Sequence, residues 1–309
     1  MGYSSWSSDS YDSVSRVRMT RSIDDNFTQN KLGVIHADLS PDNVDVRESR
    51  DSHLHPNSVP IIVALDVTGS MGSIPENLIK NKLGALMNTL ITNGILDPQI
   101  MFVAIGDHIS DDFPLQVGQF ESGTIELDSC LSKIFIERGG GGQNRESYPL
   151  AWYFAARHTS IDSFEKRQEK GFLFTIGDEG FHEGMAADLL QAKCGYKGRE
   201  NLSAPSLLNE ACRSYHVFHI HANEASYHND HFVFSQWKTL LGERFLVLED
   251  QNNIAELIAT TVALVKGVNA DDAMRGFDSR TRQSVSNALV AVKDSLVRRD
   301  HGSSGIIAL

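Results

Sequence analysis

The residues whose types and spacing could do chemistry begin with Asp66-Val-Thr-Gly-Ser70, inside the run IIVALDVTGSMGSIPENLIKNKLGAL (61–86). An apolar stretch stops at a carboxylate, and two hydroxyls follow at spacing D-x-T-x-S. In an open turn Asp66, Thr68 and Ser70 can point to one side, while Gly69 relieves crowding between them. Carboxylate and hydroxyl oxygens are hard donors, suited to Mg2+ or Ca2+. Two hydroxyls add ligands without adding negative charge, so an ion held this way still attracts an anionic ligand from outside. The alternative for the same residues is a strand-to-helix turn with an N-cap.

Further donors lie in later loops. The glycine run 139–142 presents Gln143, Asn144, Arg145, Glu146 and Ser147 ahead of a helix, and FLFTIGDEGFHEG (172–184) places Asp178, Glu179, His182 and Glu183 beyond a strand. Asp107 and His108 read as loop-capping residues near the same edge rather than as ligands. These loops contain no cysteine, which argues against a soft metal. The glycine run lacks the GK[ST] ending of a phosphate loop and is not G-x-G-x-x-G, and no G-x-S-x-G nucleophile turn occurs. In YHVFHIHA (215–222), His219 and His221 share one strand face, and they read as structural histidines rather than a zinc site.

The elements that must position these residues alternate strand and helix. VPIIVALD, QIMFVAI, KGFLFTIG, YHVFHIHA and RFLVL read as buried strands. Between them run helical stripes such as Leu78, Ile79, Leu83, Leu86, Met87, Leu90 and Ile91, the last of these preceded by a capping box at Ser73–Glu76. This pattern predicts an α/β fold: a doubly wound, mostly parallel central sheet flanked by helices, Rossmann-like in layout. In such sheets ligands sit beyond the carboxyl ends of the strands, where all the donors above fall. The expected organisation is an N-terminal arm and lead-in over 1–58, partly flexible, with short strands near 33–36 and 44–46. The α/β domain follows over 59–267, and 268–309 carry a C-terminal helix and tail.

The 309 residues are 41% hydrophobic, enough for a sizeable core, and carry a formal net charge of −12. That balance argues against a nucleic-acid footprint. Cys130, Cys194 and Cys212 are few and widely spaced, which fits a reducing compartment rather than a disulfide framework. No secretory leader and no membrane-length apolar run is seen, so a cytoplasmic location is expected.

DVTGSMG (66–72), at the end of an apolar strand and before an amphipathic helix, resembles the metal-ion-dependent adhesion site of von Willebrand factor type A domains. The glycine loop before Tyr148 resembles that family's second metal loop, and Asp178 resembles its third-loop aspartate. The set LDVTGSM, IGD, GGGG…ES and IGDEGFHEG is most similar to the branch found beside alpha-kinases and in bacterial or phage proteins. The resemblance covers about 59–265 and implies the family's fold. It also implies a bound Mg2+, with Mn2+ or Ca2+ as alternatives, completed by a carboxylate from a protein partner. Carried over, Thr68 and Ser70 bind the ion directly, while Asp66 and Asp178 hold its waters. The second loop lacks the usual threonine, so Asn144, Glu146, Ser147 or Gln143 must serve. A direct Glu146 ligand would weaken the attraction for an outside carboxylate. The expected function is a Mg2+-dependent protein-interaction module. Two other readings stay open: a structural component of a larger phage or bacterial assembly with a stabilising metal, and a metal-assisted hydrolase using Asp66, Asp178 and His182. The sequence contains no complete catalytic set, which favours the non-enzymatic readings.

Overall fold

Strand β1, Val59–Asp66, is β-branched, continuous and buried after its first residue, as a strand covered on both faces must be. A computed structural model describes residues 4–71, 74–137, 144–225, 230–290 and 292, apart from the side chains of Asn43, Ser70, Ile79 and Asn81. The expected capping box at Ser73 therefore lies outside the described residues.

Helix α1 spans Ser8–Met19. After β1 comes helix α2 over 74–92, whose middle, Leu78–Lys82, is a π-turn. Strand β2 is Pro98–Ile105, β3 is Leu115–Val117, and helix α3 is Thr124–Ser132. Helix α4, Tyr148–Arg157, leads to strand β4, Gly171–Gly177. Then follow helix α5, Ala187–Cys194, helix α6, Ala204–Ala211, and strand β5, Tyr215–Ala222. Helix α7, His231–Leu241, strand β6, Phe245–Leu248, helix α8, Ile254–Val265, and helix α9, Ser279–Ala288, complete the run.

The central sheet has six strands in the order β6-β5-β4-β1-β2-β3. All neighbours are parallel except β2 and β3, which are antiparallel. The fold is thus the α/β, doubly wound, mostly parallel sheet that the alternation predicts. Period-two alternation divides the core into two layers. Ile61, Val63 and Leu65 of β1 face one layer with Leu83, Leu86 and Leu90 of α2 and Ile258 and Val262 of α8. Ile62 and Ala64 face the other with Trp152 of α4, Leu207 of α6 and Trp237 of α7. The strand order reverses between β1 and β4, so their carboxyl ends flank the crevice where such sheets bind ligands. Among the described residues, no helix is long and apolar enough to cross a membrane.

The N-terminal segment is helical where the sequence showed little periodicity. Helix α1 packs where α2 is distorted: the Ser15 hydroxyl donates to the Lys80 carbonyl in the π-turn at 2.6 Å. The Tyr11 ring fills the space left by Gly84, where an added Cβ would lie 2.4 Å from the ring. Arg18 grips Asp128 of α3 at 2.6 and 3.0 Å, with both side chains largely withdrawn from water. The short strand expected near 44–46 lies at Arg47–Ser49, paired in parallel with Thr159–Ile161, and residues 33–36 form no strand. Replacing Arg18 by Ala leaves Asp128 without its cation. It should cost about 3 kcal/mol in denaturant unfolding and expose α1 to protease first. Unchanged stability would show that the pair does not anchor α1.

Candidate metal centre

Asp66 is the last residue of β1, and Asp178 follows the last residue of β4. Leu65 pairs with Ile176, so the two carboxylates leave adjacent strands at the switch point. Both are fully buried. Asp66 Oδ1 accepts from the Thr68 N–H at 2.8 Å and from the Thr68 hydroxyl at 2.6 Å. Its Oδ2 accepts from the Tyr148 hydroxyl at 3.2 Å. Gly69–Met71 form a single turn of 3-10 helix that carries the chain from the strand end towards α2. The Ser70 side chain lies outside the described residues.

The second loop reaches the site through a two-residue parallel ladder, Arg145–Glu146 beside Gly180–Phe181. Asn144 precedes it in the left-handed region, at φ 54°, and its carbonyl accepts from the Gly180 N–H at 3.0 Å. Glu146 is buried, and its Oε2 has no hydrogen-bond partner among the described residues. Ser147 is also buried, but its hydroxyl meets the His108 N–H at 2.9 Å and His108 Nδ1 at 2.8 Å. Gln143 lies outside the described residues. Arg145 places its guanidinium over the Phe232 ring, 5.5 Å from its centroid. Glu179, beside Asp178, is buried as well, and its carbonyl accepts from Trp237 Nε1 at 2.9 Å.

The electrostatics of this group are one-sided. Burial first, and then the Asp178 charge, push the Asp66 carboxyl well above the usual carboxylate range, against the lowering effect of the Thr68 hydrogen bonds. Burial, followed by Asp66, Glu179, Asp107 and Asp111, does the same to Glu146. Glu179 is pushed up to about 8 by burial and by Asp66, Asp178, Asp107 and Asp111. The strongest charges acting on Glu146 and Glu179 are thus all carboxylates. Buried like charges of this kind either hold protons or hold a cation. The donor set is carboxylate and hydroxyl oxygen, and Glu146 Oε2 is an orphaned buried acceptor. Both features fit a hard divalent ion.

Two contributors were missed by sequence reasoning. Tyr148 touches Asp66 from the first turn of α4, and Gly177 makes room for it. A Cβ at Gly177 would stand 1.7 Å from the Tyr148 hydroxyl and 3.0 Å from Asp66 Oδ2. A glycine ending a buried strand was the available signal. His219 and His221 are buried among aromatic rings: His219 stacks on Trp237 with centroids 3.6 Å apart and meets the Thr175 hydroxyl at 2.9 Å.

The fold and this strand-end site define a Rossmann-like α/β protein with a candidate cation centre at its switch point. No protein-family profile and no curated protein matches the chain. Among solved structures, the pilus adhesin SpaC of Lactobacillus rhamnosus GG in its open conformation is similar at 10% identity and a TM-score of 0.44, over 74% of this chain and 31% of that one. A second structure of SpaC gives 10% identity and a TM-score of 0.42, covering 74% of this chain and 32% of the other. Proximal thread matrix protein 1 of the mussel byssus gives 10% and 0.44, over 71% of this chain and 49% of that one. The chain thus spans about a third of the adhesin and half of the mussel protein.

Two outcomes follow from the site. The raised carboxyl values mean that the folded, metal-free chain keeps protons that the unfolded chain releases. The carboxyl contribution to stability without metal therefore falls as pH rises from the ordinary carboxylate range through about 8, against an opposing gain from His219 and His221, which burial keeps neutral in the fold. Thermal melts in chelator from about pH 5 to about pH 8 should report this contribution, and Glu146→Gln should reduce it. A Glu146→Gln variant whose stability changes with pH just as that of the unmodified protein does would refute the reading. Gly177→Ala should cost about 2 kcal/mol by forcing Tyr148 off Asp66, read by denaturant unfolding. Full wild-type stability would show that the close approach is not needed.

Proposed function

We propose that this protein is a Mg2+-dependent protein-interaction module of the von Willebrand factor type A kind, in which the bound ion takes a carboxylate from a protein partner. One observation carries the reading: a buried group of carboxylates at the sheet's switch point, with an orphaned oxygen on Glu146. The site would be held by Asp66, Thr68, Ser70 and Asp178, with Glu146 or Asn144 from the second loop. A neutral hydroxyl oxygen 2.6 Å from the Asp66 carboxylate supports Thr68 as a direct ligand. Ser147 is engaged with His108, so Glu146 is the better supported second-loop donor. Mg2+ retains waters readily; Mn2+ and Ca2+ are the alternatives. The buried, free cysteines support a cytoplasmic setting.

A second reading has its own support. The depth of Asp66, Asp178 and Glu146 favours an ion that stabilises the fold of an assembly component. A direct Glu146 ligand would also lessen the ion's attraction for an outside carboxylate.

Calorimetric titration of Mg2+, Mn2+ and Ca2+ into the whole protein, beside Asp66→Ala and Asp178→Ala, tests the site. Saturable binding lost in both variants is expected. Absence of binding in the unmodified protein would end the proposal. Partner capture from lysate with and without chelator then separates the two readings. Binding of Mg2+ that raises the melting temperature yet retains no partner would favour the structural role.

A further inference from the structure

Beside the carboxylate group stands a second cluster with different chemistry. Asp107, His108 and His182 each bring one ligand atom to within 4.8 Å of the other two. They come from separate loops: Asp107 and His108 follow β2, and His182 follows the strand Gly180–Phe181. His182 Nε2 lies 2.7 Å from Asp107 Oδ1, and the His108 and His182 rings meet edge to face with centroids 4.4 Å apart.

We infer that Asp107, His108 and His182 form a second metal site, selective for a first-row transition ion of the Zn2+ class. Two imidazoles and one carboxylate suit Zn2+, Fe2+ or Co2+, whereas Mg2+ and Ca2+ favour all-oxygen sets. Zn2+ bonds of about 2.1 Å place tetrahedral donors about 3.4 Å apart. The observed Asp107–His182 contact of 2.7 Å opens by about 0.7 Å as an ion takes the place of the hydrogen bond.

The surroundings hold the donors in place. Asp107 Oδ1 accepts from the Ile109 N–H at 3.2 Å and Oδ2 from the Ser110 hydroxyl at 3.1 Å. The Ser147 hydroxyl lies 2.8 Å from His108 Nδ1, the nitrogen that also stands 3.7 Å from Asp107 Oδ1. The His182 N–H donates to the Glu146 carbonyl at 3.3 Å, which ties this loop to the second loop of the neighbouring centre. Supporting bonds of this kind orient metal ligands and fix their tautomers. The His108 side chain keeps 19% of its surface exposed while that of Asp107 keeps 3%, so an ion would enter from the His108 side. Three protein ligands leave a fourth position for water or for an outside group.

Glu146 links the two centres. Its buried carboxyl feels the charge of Asp107 as well as that of Asp66. The second site does not depend on the first, and an experiment can fail one without failing the other.

The test titrates Zn2+ into the whole protein by calorimetry in saturating Mg2+, with Co2+ absorption as a second readout. One equivalent of Zn2+ is expected to bind. Affinity should fall at least about 100-fold in His108→Ala and in His182→Gln, while Asp66→Ala leaves it intact. If His182→Gln fails to fold, judged by circular dichroism, His108→Ala decides, because its side chain is partly exposed. Zn2+ that competes with Mg2+, is lost in Asp66→Ala and is kept in His108→Ala would overturn the proposal. So would the absence of any Zn2+ uptake.

Discussion

The structure turns on the burial of like charge. Asp66 and Asp178 leave adjacent parallel strands and are withdrawn from water together, with Glu146 and Glu179 beside them. Such a group is unfavourable in a low-dielectric interior unless protons or a cation offset it. The neighbourhood is arranged around that demand. The Thr68 amide and hydroxyl and the Tyr148 hydroxyl all donate to Asp66, and Gly177 lacks the Cβ that would block Tyr148. Arg145, the nearest cation in sequence to Glu146, lies over Phe232. The protein therefore satisfies the local hydrogen bonds of Asp66 from its own chain.

The architecture was legible because strands covered on both faces read as unbroken apolar runs, and IIVAL, IMFVAI and FLFTI are unmistakable in that sense. Asp66 and Asp178 were legible for the same reason, since each interrupts such a run where a parallel sheet opens to ligands. Other features had no local signature. The hydroxyl that donates to Asp66 comes from Tyr148, which reads in sequence as one more aromatic residue of a buried helix. The pairing of Asp107 with His182 spans 75 residues, and no periodicity links them. Helix α1 escaped notice because its serines and charges outweigh its apolar residues. It is held by tertiary contacts such as Arg18–Asp128 rather than by a continuous apolar stripe.

The short ladder between Arg145–Glu146 and Gly180–Phe181 gives the two loops a common backbone. Gln236 of α7 grips it from outside, accepting from the Phe181 N–H at 3.0 Å and donating to its carbonyl at 2.8 Å. Donors from distant parts of the chain are therefore fixed by main-chain bonds and not only by side-chain packing. This ladder fixes Glu146 beside the loop that carries Asp178 and His182.

The π-turn at Leu78–Lys82 has a consequence for the N-terminal helix. A π-turn is the footprint of one surplus residue in a helix, and such surpluses persist where something uses them. Here the Lys80 carbonyl accepts from Ser15, and Gly84 receives the Tyr11 ring. The widened turn and the N-terminal helix that covers it form a matched pair. Without helix α1 the Lys80 carbonyl would lose the Ser15 hydroxyl and Gly84 its covering ring, so the distorted turn and the N-terminal helix act as one structural unit.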